Sequence, residues 1–422
     1  MSQLTLASPL QIGSLEVAGR LFKSATHETR ASLDGYVTDE LLEFYEPIAA
    51  GGTPLIITGN AYISPSAQGV IREIAVDSQA RVAGLRRLAD LVHRHGSKIF
   101  AQINHCGRQA AHHADPVSAS AVREMSTGTK PRPMRADEIA STVSDFAAAA
   151  ERLQRAGFDG VQVHMAHGYL LSQFLTPYTN RRTDQYGGTF DARLRFPREV
   201  LRAVRERTGG AWPVIIKLNG HDKLAGRAGL DTAELVRISR ALQEDGADAI
   251  EISVGHYESG MFLVRGRFNE LFKGLGQGLF AELAPTRRRA FALARPLLAA
   301  YGNAAWRYSE GFNLEFAREF TRALSIPVIC VGGWQHRDAI ESALRAGSCD
   351  AVSAARGFIA DPLLFKHLVD KGEPAPACVF CNACVAYAGQ IPVNCFDHHT
   401  RAKRDEMLRE ELGWRPGLRN GA

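Results

Sequence analysis

Two imidazoles and a phenol fall within six positions of the run Val163-His164-Met165-Ala166-His167-Gly168-Tyr169-Leu170. A neutral imidazole carries one N–H, so a pair can donate two hydrogen bonds to an oxygen on which negative charge develops, such as an enolate. A phenol held at the same place can give a proton to carbon. Each of these residues alone reads more readily as a satisfied core histidine or a packing tyrosine. It is their density, just after an apolar run, that favours chemistry.

Other positions add complementary groups. Gln102, in Phe100-Ala101-Gln102-Ile103-Asn104-His105, offers one acceptor and two donors, which suits the imide edge of a flavin ring. Lys217 ends the apolar run Val214-Ile215-Ile216. A buried lysine is rare unless paired, so it implies a ligand carrying negative charge. Near the N1–C2 carbonyl region of a flavin it would stabilise the anionic reduced ring. The alternative for Lys217 is a salt bridge to a carboxylate on a neighbouring strand. Late in the chain come Val331-Gly332-Gly333 and Ala354-Ala355-Arg356-Gly357. Glycine lets backbone N–H groups approach a phosphate, and Arg356 adds a charged, planar fork. The polar run Thr176 to Gly188 reads as a loop that braces the site.

Seven cysteines are present, and four of them are spaced Cys378-x2-Cys381-x2-Cys384-x10-Cys395. An odd count in a chain without an evident secretion signal argues against a disulfide framework. Four thiolates can bind a [4Fe–4S] cluster or a zinc ion, and reduced, partly buried thiols are the third option.

These residues need elements to position them. Of 422 residues, 45% are hydrophobic and 23% charged, which excludes a mostly disordered chain. The net charge of +5 comes from basic residues scattered among acidic ones, so no nucleic-acid partner is expected. No apolar run reaches the roughly 18 to 20 residues of a membrane span. The start, Met1-Ser2-Gln3-Leu4, lacks signal-peptide character, so no membrane association and a cytoplasmic location are expected. Short apolar runs predict strands at Arg20–Ala25, Pro54–Thr58, Lys98–Ile103, Asp159–His164, Pro213–Leu218, Ala249–Ser253, Pro327–Val331 and Ala351–Ala354. Three- and four-residue apolar spacing predicts helices at Asp39–Ala50, Gln79–His95, Asp137–Ala156, Ala192–Arg207, Thr232–Asp245, Leu314–Ala323 and Arg337–Ala346.

Strands alternating with helices in this way predict an α/β fold, a (β/α)8 TIM barrel. An open doubly wound sheet is the runner-up, weakened because no Gly-x-Gly-x-x-Gly follows the first strand. The barrel would occupy residues 1–373 and a cysteine-containing extension residues 374–422. A long insertion follows strand six, from Gly255 to about Gly311 (about 256–311), with Arg265, Arg267, Arg287, Arg288 and Arg289. It reads equally well as a lid over the barrel mouth or as a helical insertion at an oligomer interface. The tail near Trp414-Arg415-Pro416 could reach a neighbouring copy, which leaves a homo-oligomer open, and a polar helix is expected near Arg401–Leu412.

Taken together, the motifs resemble the old yellow enzyme family of FMN oxidoreductases. Within it they look most like the branch that holds the flavin domains of 2,4-dienoyl-CoA reductase and trimethylamine dehydrogenase. The resemblance runs from about Leu10 to Cys395, apart from the insertion. It rests on Arg20 to Thr26, Leu55 to Gly59, Gln102 with His105-Cys106-Gly107-Arg108, His164 to Phe174, Asn180 to Gly188, Gly332-Gly333 and Ala355-Arg356. It implies FMN across the barrel mouth. Ala25, Thr26 and Gly59 would touch the ring, Gln102 its pyrimidine edge and Lys217 its N1 side, where many members have Arg. Gly332, Gly333, Ala355 and Arg356 would hold the phosphate. His164 and His167 would grip a substrate carbonyl oxygen, and Tyr169 would be the proton donor. NAD(P)H would be the transient hydride donor and an electron-poor alkene the acceptor. N-demethylation of a methylated amine, or an FMN and iron–sulfur electron-transfer module, are the alternatives. Members with flavin and iron–sulfur carry four cysteines at this place, with a longer last gap, which points to Cys378, Cys381, Cys384 and Cys395 as metal ligands.

Overall fold

The computed structural model describes residues 4–110, 113–125, 128–259, 264–277 and 285–414. Parts of three sequence features lie outside the described residues: the first three positions, 260–263 and 278–284 of the insertion, and Arg415-Pro416.

Eight parallel strands close on themselves. They are β1 (Leu21–Lys23), β2 (Leu55–Tyr62), β3 (Lys98–Asn104), β4 (Gly160–His164), β5 (Val214–Asn219), β6 (Ala249–Ser253), β7 (Val328–Val331) and β8 (Ala351–Ala354). Each pairs with its sequence neighbour, β8 pairs with β1, and a single Lys23–Ile56 pairing joins β1 to β2. This is the expected (β/α)8 barrel. Every predicted strand is present, the first of them shorter than expected.

The helices between strands start where side chains can cap them. The Thr38 hydroxyl accepts from the Leu41 N–H, Thr189 from Ala192, and the Asp231 carboxylate from Glu234. Each such bond satisfies an N–H that the first helical turn leaves unpaired. The helix predicted from Gln79 begins instead with a 3-10 turn, Gln79–Arg81, and is α-helical over Val82–Arg94. Among the described residues, no helix is long and apolar enough to cross a membrane.

Before the barrel, Leu10–Ile12 and Leu15–Val17 form an antiparallel hairpin that the strand pattern did not announce. Leu10, Ile12 and Val17 pack against Phe22, Leu55, Ile57, Phe100, Ile215, Ala249, Ile329 and Ala351. These last side chains come from the N-terminal halves of the strands, so the hairpin plugs the bottom of the barrel. Burying each large aliphatic side chain there is worth about 1.5–3 kcal/mol.

Strand side chains alternate faces, so residues two further along point inward one level higher. Above Phe100 comes Gln102, above Ile215 Lys217, above Ala249 Glu251, above Ala351 Ser353 and above Phe22 Ser24. The barrel interior thus passes from apolar at the base to polar toward the strand C-termini. That is the face where barrel enzymes place their sites.

The insertion and the tail, read separately from the sequence, pack together. Helices Asn269–Gln277 and Pro285–Ala305 share an apolar core of Phe268, Leu271, Phe272, Ala299 and Trp306 with Ala386 of the tail. The Arg267 N–H donates to the Phe380 carbonyl at 2.8 Å and Asn382 donates to the Arg267 carbonyl. Tyr308 stacks on Phe380 at 3.7 Å. The polar helix of the tail spans His398–Leu412 and buries Met407 and Leu408 against Leu363.

Candidate active site

His164 closes β4, and His167 and Tyr169 follow on the connecting turn. The structure brings all three together: the His164 ring lies 5.1 Å from that of His167 and 4.8 Å from that of Tyr169, centroid to centroid. The Ala166 N–H donates to His164 Nδ1 at 3.2 Å. With Nδ1 accepting, the proton of the neutral ring sits on Nε2. Burial, reinforced by His167, Lys217 and His27 nearby, holds the His164 pKa well below the ordinary range; burial and Lys217 do the same for His167. Both rings are therefore neutral donors at neutral pH.

His167 sits at φ +61°, a left-handed conformation uncommon for a non-glycine residue. Its backbone is held on three sides: its N–H donates to Asn219 Oδ1, and its carbonyl accepts from Gln109 Nε2 and from the Tyr257 N–H. Its Nε2 lies 2.8 Å from Ser253 Oγ. Gly168 is required beside it, because the His256 ring occupies the space a Cβ would need. The Tyr169 hydroxyl lies 3.4 Å from His27 Nε2, which in turn contacts Asn60. Burial, together with Cys106, Tyr257 and Glu73, pushes the Tyr169 pKa well above its usual value, so the phenol keeps its proton.

Beside this trio lies a connected layer, with Lys217 in register with His164. Gln102 Nε2 donates to Gln162 Oε1 at 2.6 Å, and Gln162 Nε2 donates to Glu251 Oε2 at 2.8 Å. Lys217 Nζ is 2.9 Å from the same Glu251 oxygen. Ser24 and Ser353 donate to Glu251 Oε1. The salt bridge weighed for Lys217 from sequence thus exists, with Glu251 directly opposite it on the adjoining strand. Gly59 is close by, its N–H donated to the buried Glu28 carboxylate, which also accepts from Tyr45. Lys23 donates to the Ser24 carbonyl and lies 3.3 Å from the Thr26 hydroxyl. Burial lowers its pKa to about 8.

The two glycine-bearing loops meet the cysteine segment. Gly333 is at φ +70°, and a Cβ there would press on Phe312 and Tyr308 at 3.1 Å. The Tyr308 hydroxyl donates to the Gly333 carbonyl. Ala355 precedes the short helix Arg356–Ala360. Arg356 donates to the Arg265 carbonyl and to Asn382, and its guanidinium lies 4.6 Å from the centre of the Phe380 ring. It also borders the small pocket that Cys378, Cys381, Cys384 and Cys395 line. Burial, with the neighbouring thiols, pushes Cys378 up to about 11 and Cys384 up to about 12. Among the described residues, no group of three or more His, Cys, Asp or Glu converges as a single metal ion requires.

Sequence reasoning missed Ser24, Gln162, Glu251, Ser353, His27 and Asn60. The first four carried a signal, the inward alternation along each strand. His27 and Asn60 carried none, because only the folded chain brings the first two strand ends to Tyr169. A further buried pair, Arg108 with Glu258 at 2.8 Å, ties the loop after β3 to the start of the insertion.

A closed parallel barrel with a polar interior layer and a buried phenol beside two neutral imidazoles belongs to the class of (β/α)8 enzymes. More particularly, the chain belongs to the NADH:flavin oxidoreductase / NADH oxidase family, which it matches over residues 5–270. Residues 304–416 match the dihydrouridine synthase family. It is 32% identical to an NADH oxidase of Thermoanaerobacter brockii over 383 residues, 89% of this chain and 52% of that one. The chain thus spans about half the length of that relative. It is also 32% identical to a 4,4'-dithiodibutanoate disulfide reductase of Rhodococcus erythropolis, covering 90% of this chain and 92% of that protein. Morphinone reductase superposes with a TM-score of 0.67 at 27% identity, covering 88% of this chain and 91% of that one.

Proposed function

We propose that this chain binds FMN and passes hydride from NAD(P)H to an electron-poor alkene conjugated to a carbonyl. The observation that carries the reading is the trio at the end of β4: two neutral imidazoles beside a phenol that burial keeps protonated.

The residues fit the cofactor. The Gly332-Gly333 turn is tight: a Cβ on Gly332 would stand 3.1 Å from Gly311, and one on Gly333 would stand 3.1 Å from the Tyr308 and Phe312 rings. Gln102 spends a donor on Gln162, which leaves its oxygen free to accept from an imide N–H. Lys217 would supply a cation at the N1 side, Ala25, Thr26 and Gly59 would contact the ring, and Ala355 and Arg356 would join the glycines at the phosphate. Bound FMN supplies the hydride that reaches the β-carbon.

The chain's own part is to bind, polarise and protonate. His164 offers its Nε2–H to the substrate carbonyl oxygen and His167 completes the pair, so the charge that grows there is met by donors already in place. Tyr169 gives its hydroxyl proton to the α-carbon. Burial of the trio excludes water from the reacting centre.

Cys378, Cys381, Cys384 and Cys395 are read as holding a [4Fe–4S] cluster. Their sulfurs border a pocket instead of converging on a point, and the Phe380 N–H already donates to Cys378 Sγ at 3.4 Å. The donor set suits the group; thiolates bonded by backbone N–H are the usual way such clusters are tuned.

The test is anaerobic. Protein loaded with FMN is reduced by NADH or NADPH, then mixed with cyclohexenone or with a tertiary amine. Reoxidation by the enone supports the reading. A chain that takes up no FMN, or whose oxidised flavin is reduced by the amine while the enone leaves reduced flavin untouched, overturns it. Iron analysis of protein purified without oxygen decides the cluster.

A further inference from the structure

Lys217 and Glu251 sit side by side on β5 and β6, with Lys217 in register with His164 of β4, both almost wholly buried. Exchanging a buried ion pair for well-packed apolar residues is often neutral or stabilising, so stability alone does not explain the pair. Glu251 has no spare capacity for a ligand. Its Oε2 faces Lys217 and accepts from Gln162, and its Oε1 accepts from Ser24 and Ser353. Burial by itself would raise its pKa, yet Lys217, Ser353 and Gln162 bring the net shift below the ordinary value, so the carboxylate is charged. Lys217 donates also to Ser24 Oγ at 3.2 Å, which leaves one of its three N–H groups for a ligand.

Through these bonds Glu251 reaches both edges of the site. It fixes Lys217 directly, and it fixes Gln102 through Gln162. It also places a full negative charge in the same desolvated layer, opposing the charge of Lys217. We propose that Glu251 is a positioning residue for the flavin whose charge offsets Lys217 and holds down the electron affinity of the bound ring. This rests on the FMN reading above. Gln162, Ser24 and Ser353 act through Glu251, keeping it anionic.

The probe is sulfite, which adds its lone pair to flavin N5 while the ring takes up the electron pair, with negative charge gathering near N1. Its affinity therefore reads the charge that the ring feels, without turnover. In Glu251→Gln the hydrogen bonds can persist while the charge goes. Sulfite is expected to bind about tenfold tighter, since a unit charge in a buried layer acts at low effective dielectric. The FMN midpoint potential should rise by about 30 mV, the two-electron equivalent of tenfold. Lys217→Met should move both readings the opposite way, and the double variant should return to within about threefold of the parent.

Sulfite affinity within twofold of the parent in FMN-loaded Glu251→Gln overturns the inference. So does loss of FMN binding with an unchanged potential in the fraction still loaded, which marks a purely structural role. Should Glu251→Gln not fold, Glu251→Asp withdraws the charge from Lys217 by about one methylene; a tightening of about threefold supports the inference and none overturns it. Failure of the parent chain to take up FMN removes the cofactor reading itself, and is told apart by the absence of bound flavin before sulfite is added.

Discussion

The barrel mouth and the insertion–tail unit are built in different ways. At the mouth, Gln102, Gln162, Lys217, Glu251 and Ser353 come from five strands; register pairs Gln102 with Gln162 and Lys217 with Glu251, and side-chain bonds to Glu251 join the rest. Their bonds run between side chains already fixed by the sheet. The insertion–tail unit joins segments distant in sequence through a small apolar core, a few backbone carbonyls and one aromatic stack. The mouth is framed by the closed sheet, whereas the cysteine pocket is framed by the short helix after β8 and the irregular tail, against which the insertion packs.

The largest expected effect is at the mouth. Tyr169→Phe should slow reduction of the enone by about a thousandfold, within the range for loss of a general acid. Reduction of the flavin by NAD(P)H should stay within a few fold, because that half-reaction needs no proton from Tyr169. Stopped-flow traces of the two half-reactions check this, and equal loss in both would remove Tyr169 from the role.

The two regions should also answer to pH with opposite signs. Burial lowers the pKa of His27 to about 4 and that of His105 to about 3, and burial with Arg108 and Arg227 nearby lowers that of His256 to about 3. Between about pH 6.5 and those values the unfolded chain binds protons that the folded chain refuses, so stability falls as pH falls. Each histidine contributes about 1.4 kcal/mol per pH unit within its window. Under the tail helix the sign reverses. Burial opposes protonation of His367, but Asp361 at 2.7 Å and Glu411 at 3.0 Å outweigh it and raise its pKa. Its contribution is fully present below about pH 6.5 and is lost as pH rises through its folded value. Amide exchange in FMN-free protein at pH 5 and pH 8 should show the mouth strands losing protection in acid while the helix His398–Leu412 gains relative to them. Parallel changes in both would break the contrast.

Docking of the insertion is the next effect in size. Gly266 is at φ +129°, and a Cβ there would collide with the Phe380 carbonyl. Gly266→Ala should cost about 2 kcal/mol, from strained backbone and lost contact. It should lower iron content per chain while FMN affinity stays within threefold, and iron analysis beside a flavin titration separates the two. Equal loss of both would mean that the phosphate loops and the cysteine pocket stand or fall together through Arg356.

What was legible in the sequence follows the same division. The strands, most helix limits and the His164–Tyr169 run were readable because they obey local periodicity and end at strand termini. The polar layer was readable in principle: the alternations Phe100-Gln102, Ile215-Lys217, Ala249-Glu251 and Ala351-Ser353 turn polar toward the mouth. Lys217 and Gln102 were singled out and Glu251 was not, because a lone acidic residue in Ala249-Ile250-Glu251-Ile252-Ser253 has no partner until β5 and β6 are in register. The hairpin at Leu10–Val17 was too short to show a pattern. The docking of Phe380 on Tyr308 was invisible for a deeper reason, since contacts between irregular segments have no period to read.

The smallest effect marks the outer edge of the insertion. Leu293, Leu297 and Tyr301 recur every fourth residue along the helix Pro285–Ala305 and are exposed, Leu297 at 77%. Its opposite side, through Ala299 and Gly302, packs on Phe268. An exposed leucine has little burial to lose, so Leu297→Gln should change stability by less than about 0.5 kcal/mol. Leu271→Ala, on the buried side of the partner helix, should cost about 2–5 kcal/mol. Thermal unfolding of the two variants measures how far the insertion's small core is a cooperative part of the molecule. If Leu271→Ala leaves the barrel's transition unmoved and melts the insertion separately, the insertion–tail unit is its own folding unit. If one transition shifts as a whole, the packing of Phe268, Leu271 and Ala386 binds the cysteine segment into the barrel's cooperativity, and the contrast between the two regions is one of construction and not of stability.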